Sequence, residues 1–467
     1  MKSTRILKYL FLAATPLMLV SCFAAKEYAR PQEDIVTADY YRTDQLPKDS
    51  LSIAVLSWKE LFTDPVLQTY IEEGLANNND IRIAIQQILI SEAYLKQGKL
   101  GYYPTLSGTA QYTHSELSNN SQFGAQFNKL DVYQLSGALS WEADIWGKIR
   151  SSERAFQATY LQSVAAHKAV KSRLVANIAS TYYSLLALDQ QIRITQETIT
   201  TRERGLETTK ALKKAGNVTE VGVKQTEAQL YSAQGLLIDL QNSTRLLENT
   251  LSILLGSNSR TILRSSLDEQ KITTELTTGI PAQLLANRPD VMAAEYNLIN
   301  AFELTNVARS NFYPSLTLSA TGGLQSLDFD QLFSASSLFA NLVSGLTQPI
   351  FNGRRIRTQY EVSKANQEQA KLAFKQSVLQ AGKEVSDALY SYHAATEKII
   401  VKEKEFNAYD LATVYSEELL DNGLANYLEV LRARENTLTT GLDLVNTKNN
   451  QLQATVDLYE ALGGGWQ

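Results

Sequence analysis

Two hydrophobic periods take turns along the chain. After Pro104, Leu106, Ala110 and Tyr112 fall on one side and Thr105, Ser107, Thr109 and Gln111 on the other, the period of two expected of a strand with unlike faces. A polar loop from Ser115 to Lys129 leads into a second alternating run. There Tyr133, Leu135, Leu139 and Trp141 oppose Gln134, Ser136 and Ser140, which predicts a hairpin. Further on, Leu316, Leu318 and Ala320 alternate with Ser315, Thr317 and Ser319, and Leu338 to Leu346 reads as the returning strand with weaker alternation. Each run is about 10 to 12 residues, the length a tilted strand needs to cross a bilayer.

Elsewhere the period is that of a helix. Residues 80 to 100 predict one entered at Asn79 or Asp80, both good N-cap types. From Lys148 to Ala215 no proline interrupts, and Leu174, Ile178, Thr181, Leu185, Leu188 and Ile192 step by threes and fours in a coiled-coil-like seam. At 1.5 Å per residue this helix is about 100 Å long. Gly216-Asn217 ends it as a glycine C-cap does, and a second helix returns to Leu255. The same order recurs as Gly353 to Asn422, a turn at Gly423, and Leu424 to Leu462.

That recurrence is a duplication. Ala76-Asn77-Asn78-Asn79-Asp80-Ile81 returns as Ala286-Asn287-Arg288-Pro289-Asp290-Val291, and Tyr102-Tyr103-Pro104-Thr105-Leu106 as Phe312-Tyr313-Pro314-Ser315-Leu316. Trp146-Gly147-Lys148 then matches Asn352-Gly353-Arg354, Gly216 matches Gly423, and Leu255-Gly256 matches Leu462-Gly463, so a loop in between is shorter by about four residues. The expected organisation is a signal segment at 1–21, an N-terminal lead-in and equatorial segment at 22–75, and a first repeat at 76–256. A linker at 257–285, a second repeat at 286–463 and a tail at 464–467 follow.

The amino terminus sets the compartment. Lys2, Arg5 and Lys8 precede an apolar run from Tyr9 to Val20, and Leu19-Val20-Ser21-Cys22 closes it, the layout of a secretory signal with a small residue before a cysteine. Cys22 is the single cysteine, so it has no disulfide partner within the chain and is the expected lipidation site. Acylation there would anchor the mature chain. Phe23 follows, where an acidic residue would favour inner-membrane retention, so the outer membrane is expected. Without the three signal cations, 41 basic stand against 49 acidic residues, near −8, with no basic cluster to suit nucleic acid. After Val20 no apolar run is long enough for a membrane helix, which leaves the crossing to strands.

Catalytic chemistry is not evident. His114, His167 and His393 are scattered over a strand or loop and two long helices without a second metal-ligand type at a useful spacing. No nucleophile elbow or phosphate-binding glycine loop occurs, and Gly463-Gly464-Gly465 follows a helix. Glu142 and Asp144 read as a polar exit from the strands. Trp141, Trp146, Tyr102, Tyr103, Phe312 and Tyr313 cluster at strand ends, as an interfacial girdle or as plain packing. No catalytic residue, metal or cofactor is expected. Four strands per chain do not close a barrel, and open edges are not tolerated in lipid, so several chains must share one; dimer and trimer both satisfy this.

The motifs carry a resemblance. Trp58-Lys59-Glu60-Leu61-Phe62 with Asp64-Pro65, the Asn-rich Ala76 to Asp80, and Ser140-Trp141-Glu142-Ala143-Asp144-Ile145-Trp146-Gly147-Lys148-Ile149-Arg150 resemble the lipoprotein branch of the TolC-like outer membrane factors. So do Arg288-Pro289-Asp290-Val291, Phe312-Tyr313-Pro314-Ser315-Leu316 and Gln348-Pro349-Ile350-Phe351-Asn352-Gly353. The resemblance runs from about Cys22 to Gly465. It implies a mainly α chain with a β-barrel portion, in which a homotrimer builds a twelve-stranded barrel in outer-membrane lipid continuous with a twelve-helix periplasmic tunnel. A periplasmic adaptor and an inner-membrane efflux pump are the implied partners, and export of drugs or other small molecules the implied role. A duct for type I protein secretion is the alternative.

Two sets of positions follow. The helix turns Gly216-Asn217-Val218-Thr219 and Gly423-Leu424-Ala425-Asn426 are farthest from the strands along the helices and are the expected adaptor-docking tips. Just beyond the second turn, Leu428 and Arg432 share a face, with Glu429 three residues from Arg432. The resemblance implies that these three line a periplasmic gate, with arginine at 432 where an aspartate is common in the family.

Overall fold

The computed structural model describes residues 25–31, 40–41, 52–121, 129–270, 278 and 284–466. The signal segment and Cys22 lie outside them, as does much of the linker. Seven main helices are α1 (Pro65–Asn77), α2 (Asn79–Lys99), α3 (Lys148–Lys214), α4 (Glu220–Leu254), α5 (Pro289–Ser310), α6 (Arg355–Asp421) and α7 (Tyr427–Ala461). Four strands are β1 (Thr105–Glu116), β2 (Lys129–Ala143), β3 (Ser315–Ser326) and β4 (Leu338–Thr347). The duplication is exact in the lengths of the long and return helices: α3 and α6 have 67 residues each, α4 and α7 35 each.

Helix boundaries differ from the sequence reading where caps decide them. The α2 cap is Asn78, whose side-chain oxygen accepts from the Asp80 and Ile81 amides at 2.8 and 3.3 Å, and Asn79 is already helical. The second copy begins its long helix at Arg355, after Gly353 and Arg354 take positive φ of 60° and 68°. Its return helix starts at Tyr427, because the Asn426 side chain caps the Leu428 amide. Asp144 similarly accepts from the amides of Ile149 and Arg150 at the start of α3, and Glu142 pairs with Lys148 at 2.9 Å. Of the two residues read as a polar exit from the strands, Asp144 is thus a helix cap and Glu142 an ion-pair partner.

The chain divides into two compact units, one from Met1–Gln32, Ile88–Ser163 and Ala294–Phe374, the other from Glu33–Gln87, Val164–Ala293 and Lys375–Gln467. The division cuts across both repeats, so a repeat is not a domain. In the first unit the strands form one antiparallel sheet in the order β1-β2-β3-β4. Helix contacts there follow the same order. Tyr94 stacks on Phe156 between α2 and α3, Asn300 donates to the Ala155 carbonyl between α5 and α3, and Thr305 donates to the Ser363 carbonyl between α5 and α6. An extended N-terminal strap lies along α5, with the Lys26 backbone bonded to Asn306, Tyr28 against Phe302, and Arg30 paired with Glu295 at 2.6 Å.

The second unit holds most of the largest buried side chains, among them Ile178, Leu185 and Leu186 of α3 with Phe62, Leu67, Ile71 and Tyr459, and Phe62 meets Tyr459 edge-on at 5.9 Å. Of the expected seam, Leu174, Ile178 and Leu185 are buried, while Thr181, Leu188 and Ile192 are half-buried. The seam continues in polar residues, Thr195, Arg202 and Thr209, seven apart and all buried. Polarity hid this stretch from a hydrophobic pattern.

The same unit contains two equivalent junctions between helix ends. In the first copy, the Asn78 amide group donates to the Leu254 carbonyl at 2.9 Å, and Gly256, at φ 71°, lies so close to Asn77 that a Cβ would sit 2.5 Å from its carbonyl oxygen. In the second, Arg288 donates to the Ala461 carbonyl at 3.0 Å, and Gly463, at φ 93°, stands in the same relation to Asn287. One repeat position therefore satisfies the last carbonyls of the preceding helix with an amide in one copy and a guanidinium in the other. The guanidinium needs partners, and it has Asp290 and Glu384, each at 2.6 Å. Burial opposes its charge, but those two carboxylates hold its pKa above the usual arginine value. Burial would raise Asp290, yet Arg288 holds it below the usual carboxylate range.

The C-terminal segment is no loose tail. Gly463, Gly464 and Gly465 are buried, Lys171 donates to the Trp466 carbonyl at 3.0 Å, and the Lys168 ammonium sits 3.9 Å from the Trp466 ring centroid.

Arg288→Ala should cost about 2 kcal/mol, because it leaves the buried Ala461 carbonyl without its donor, while Asp290 and Glu384, about two-fifths exposed, keep access to water. Asn78→Ala should cost about 1 kcal/mol, the loss of a neutral cap. Thermal unfolding of the purified protein followed by far-ultraviolet circular dichroism checks the difference. Since Asp290 is depressed in the folded state, its contribution should be full above about pH 4 and fade as pH falls through its lowered folded value.

Candidate functional site

The sheet has two chemically distinct faces. Registration puts like against like: Leu106 opposes Leu139, Ala110 opposes Leu135, and Tyr112 opposes and stacks on Tyr133 at 4.9 Å. Across the repeat boundary Leu135 opposes Leu324 and Leu139 opposes Ala320, and in the second hairpin Leu316 opposes Leu346. The alternate positions pair Thr109 with Ser136, Gln111 with Gln134, and Ser140 with Ser319. The pattern is mixed in β4, which sets Val343 and Phe339 among the polar positions, and at the loop end of the first hairpin, where Val132 faces Thr113 on the polar side and His114 faces Asp131 on the apolar side. The apolar face is open, with Leu106 78% and Leu346 65% exposed. Such a face on strands of 10 to 15 residues suits lipid. Among the described residues no helix is long and apolar enough to cross a membrane.

At the base of the sheet the aromatic cluster divides. Trp146 stacks on Tyr313 at 4.7 Å and donates to the Pro314 carbonyl at 2.8 Å, so this pair packs the two repeats together. Trp141 donates to the Tyr102 carbonyl at 2.9 Å but stays exposed, as do Tyr103 and Phe312, which suits an interface with lipid headgroups.

Both helix turns carry the same device at the C-terminal ends of α3 and α6. Gly216 and Gly423 have φ of 82° and 72°, and the Asn217 and Leu424 amides reach back to the Leu212 and Leu419 carbonyls at 2.9 and 2.8 Å. A Cβ at either glycine would meet nothing within 4 Å, so the backbone conformation alone demands glycine. Gly216, Asn217, Thr219, Gly423, Leu424 and Asn426 are exposed, while Val218 and Ala425 are half-buried. Thr219 and Asn426 also cap the following helices.

Beyond the second turn Tyr427, Val430 and Leu431 are buried, and Leu428, Glu429 and Arg432 point away, Leu428 being 46% exposed. Glu429 and Arg432, able to touch by spacing, form no ion pair with each other in the structure. Polar contacts that the sequence reading did not anticipate hold this end of α7. Arg202 of α3, 3% exposed, reaches Glu435 at 2.6 Å and also the Gln229 carbonyl of α4. Arg434 lies over Gly205 and pairs with Glu417 of α6 at 2.7 Å, and Thr226 of α4 donates to the Tyr427 hydroxyl at 2.9 Å. The one sequence signal for them was an arginine in heptad phase with Thr195 and Thr209.

His114 bonds Asp131 at 2.7 Å within the first hairpin, while His167 and His393 lie in α3 and α6. Among the described residues no three His, Cys, Asp or Glu side chains gather to hold a metal.

Comparison with known proteins agrees with this geometry. The sequence pattern described as "Outer membrane efflux protein" matches residues 70–257 and 280–464, which are the two repeats. The chain is 28% identical over 455 residues to the solvent efflux pump outer membrane protein SrpC of Pseudomonas putida, covering 96% of this chain and 97% of that one. It is 26% identical over 460 residues to the probable outer membrane lipoprotein SilC of Salmonella typhimurium, covering 97% and 98%. It is also similar to the cation efflux system protein CusC of Escherichia coli (strain K12), 26% identical over 452 residues, covering 96% and 97%. A solved CusC structure superposes with a TM-score of 0.83 at 25% identity, covering 94% of this chain and 99% of that one. With a match over both repeats and a shared fold, the chain belongs to the outer membrane efflux protein family.

Proposed function

We propose that this chain is the outer-membrane duct subunit of a tripartite efflux system, passing small molecules from a periplasmic adaptor and an inner-membrane pump to the exterior. The observation that carries the reading is the sheet: one apolar and one polar face, strands of membrane-spanning length, and two open edges. A pore needs a wall that is apolar outside and polar inside, and this sheet is a segment of such a wall. The homotrimer comes from the family resemblance. Relatives named for solvent and cation efflux favour small solutes over secreted proteins, and pump and adaptor would choose among them.

Acylation of Cys22 would place a lipid anchor just ahead of the strap, whose described residues run from Ala25 to Pro31. In the Cys22→Ser variant, incorporation of labelled fatty acid should disappear, while channel function should survive because the barrel supplies its own apolar band. Mass spectrometry of a mature protein with an unmodified amino terminus would refute this.

Adaptor docking at the two turns is supported by their exposure and their place at the far ends of α3 and α6. Asn217 and Ala425 are the cleaner probes, since Thr219 and Asn426 also cap helices. Asn217→Trp and Ala425→Trp should lower efflux-dependent resistance several-fold while assembly of the duct is unchanged. Undiminished adaptor crosslinking together with undiminished resistance would count against tip docking.

For the gate, a ring of Leu428 repeated around a three-fold axis would close the pore by dewetting, with Glu429 and Arg432 of adjacent copies facing one another. Leu428→Ala should then raise resting single-channel conductance several-fold, and Arg432→Asp should increase cation preference in reversal-potential measurements. If both variants behave as the unaltered protein in planar bilayers, the constriction lies elsewhere.

A further inference from the structure

Followed from strand to strand, the residues of the sheet's polar face line up in rows. Ser107 opposes Ala138, Ala138 opposes Thr321 and Thr321 opposes Asn341, which makes the middle row. On either side of it the same face offers hydroxyls, carboxamides and glycine, with Val132, Phe339 and Val343 as its larger apolar members. Among the described residues, one charged side chain stands on this face: Glu142, at the base, opposite Thr317. It is not a free charge, because the Lys148 ammonium donates to both of its carboxylate oxygens, at 2.9 and 3.1 Å.

The first hairpin does carry other ionisable residues, and it places them on the opposite face. His114 opposes Asp131 and Glu116 opposes Lys129, all on the apolar side at the loop end. Each pair is matched within itself, with His114 Nδ1 2.7 Å from Asp131 and the Lys129 ammonium 3.5 Å from Glu116. Strands β3 and β4 contain no Asp, Glu, Lys, Arg or His.

We propose that the barrel portion of the duct is an electrically neutral sleeve, which passes anions, cations and uncharged solutes alike and leaves any sorting by charge to the helical portion. This rests on the duct reading, in which the polar face lines the pore, and says what that wall can select. Rings of charged side chains are what give a pore its preference for one sign. A hydroxyl or a carboxamide offers both a donor and an acceptor, so it turns to meet either sign. Phe339 and Val343 add contact for the apolar parts of a solute without adding charge. The remaining charges are too distant to replace a ring. Glu142 opposes Thr317, four residues along β3 from Thr321, and at about 3.4 Å per residue that is about 14 Å, beyond a screening length of about 8 Å at physiological ionic strength. His114 lies seven residues along β1 from Ser107, about 24 Å away, and on the other face.

Neighbouring residues of β3 face opposite ways, so Thr321 and Ala320 make a matched pair of probes, Ala320 standing between Leu139 and Leu342 on the apolar face. The test places Thr321→Cys or Ala320→Cys in the full chain, reconstituted in planar bilayers, with the unaltered protein as the control for Cys22. A cationic trimethylammonium-ethyl and an anionic sulfonatoethyl methanethiosulfonate are added in turn, and each rate of current change is divided by that reagent's rate with free mercaptoethanol. Thr321→Cys should react with both, at normalised rates that agree within about twofold because distant charges are screened. Ala320→Cys should react with neither. Adding Ser319→Asp, on the same face as Thr321, should favour the cationic reagent by about tenfold. Should Thr321→Cys fail to assemble, Ser107→Cys repeats the measurement in the same row on β1. A preference of about tenfold for either sign without the aspartate would overturn the neutral sleeve and leave the duct standing. An unchanged ratio with the aspartate would also overturn it, since wall charge would then not govern access. Reaction at Ala320→Cys with Thr321→Cys silent would instead refute the duct reading, because the polar face would not line the path of water.

Discussion

A strand edge in lipid is the constraint on which the rest of this structure depends. Backbone amide and carbonyl groups without water or a partner strand cost several kcal/mol each, so a membrane sheet must close on itself. Four strands with unlike faces and two open edges do not satisfy that condition in one chain. The duplication brings the chain to four strands, and in the proposed duct sharing among protomers supplies the rest. On the proposed duct reading, the exposed leucines of the apolar face meet lipid and the exposed apolar side chains of α2, α4 and α6 meet neighbouring copies.

The helices answer a second demand, to extend far from the membrane while every helix end remains satisfied. Each copy makes one uninterrupted helix of 67 residues and two shorter ones whose ends meet at a junction. Asn78 and Arg288 occupy the same repeat position and perform the same service for the preceding helix. The copies diverge in charge there, and the second acquires Asp290 and Glu384 as obligatory partners for the buried guanidinium. Duplication conserved the geometry and left the electrostatics free to change.

Much of this was legible in the sequence because the responsible forces are periodic. Alternation gave all four strands, and the observed register sets apolar positions of β1 against apolar positions of β2. The absence of proline gave the long helices, and the C-cap glycine Gly216 with its recurrence at Gly423 gave both turns. What stayed hidden is polar and long-range. Arg202 continues a seam in which a hydrophobic pattern no longer speaks, and its partners Glu435 and Gln229 lie on other helices. The three glycines after α7 looked like a tail because glycine carries no hydrophobic signal, yet they are buried, and a Cβ would collide with Asn287 at Gly463 and with Tyr459 at Gly464. The candidate gate was legible only through resemblance, since Leu428, Glu429 and Arg432 alone describe an ordinary exposed helix turn.

The central claim is that one chain holds only part of a pore. Native mass spectrometry of the full-length protein, extracted from membranes into mild detergent and released in the gas phase, tests it most directly. The account predicts a homotrimer as the smallest folded species that retains the strands. A stable, folded monomer with an intact sheet would contradict it.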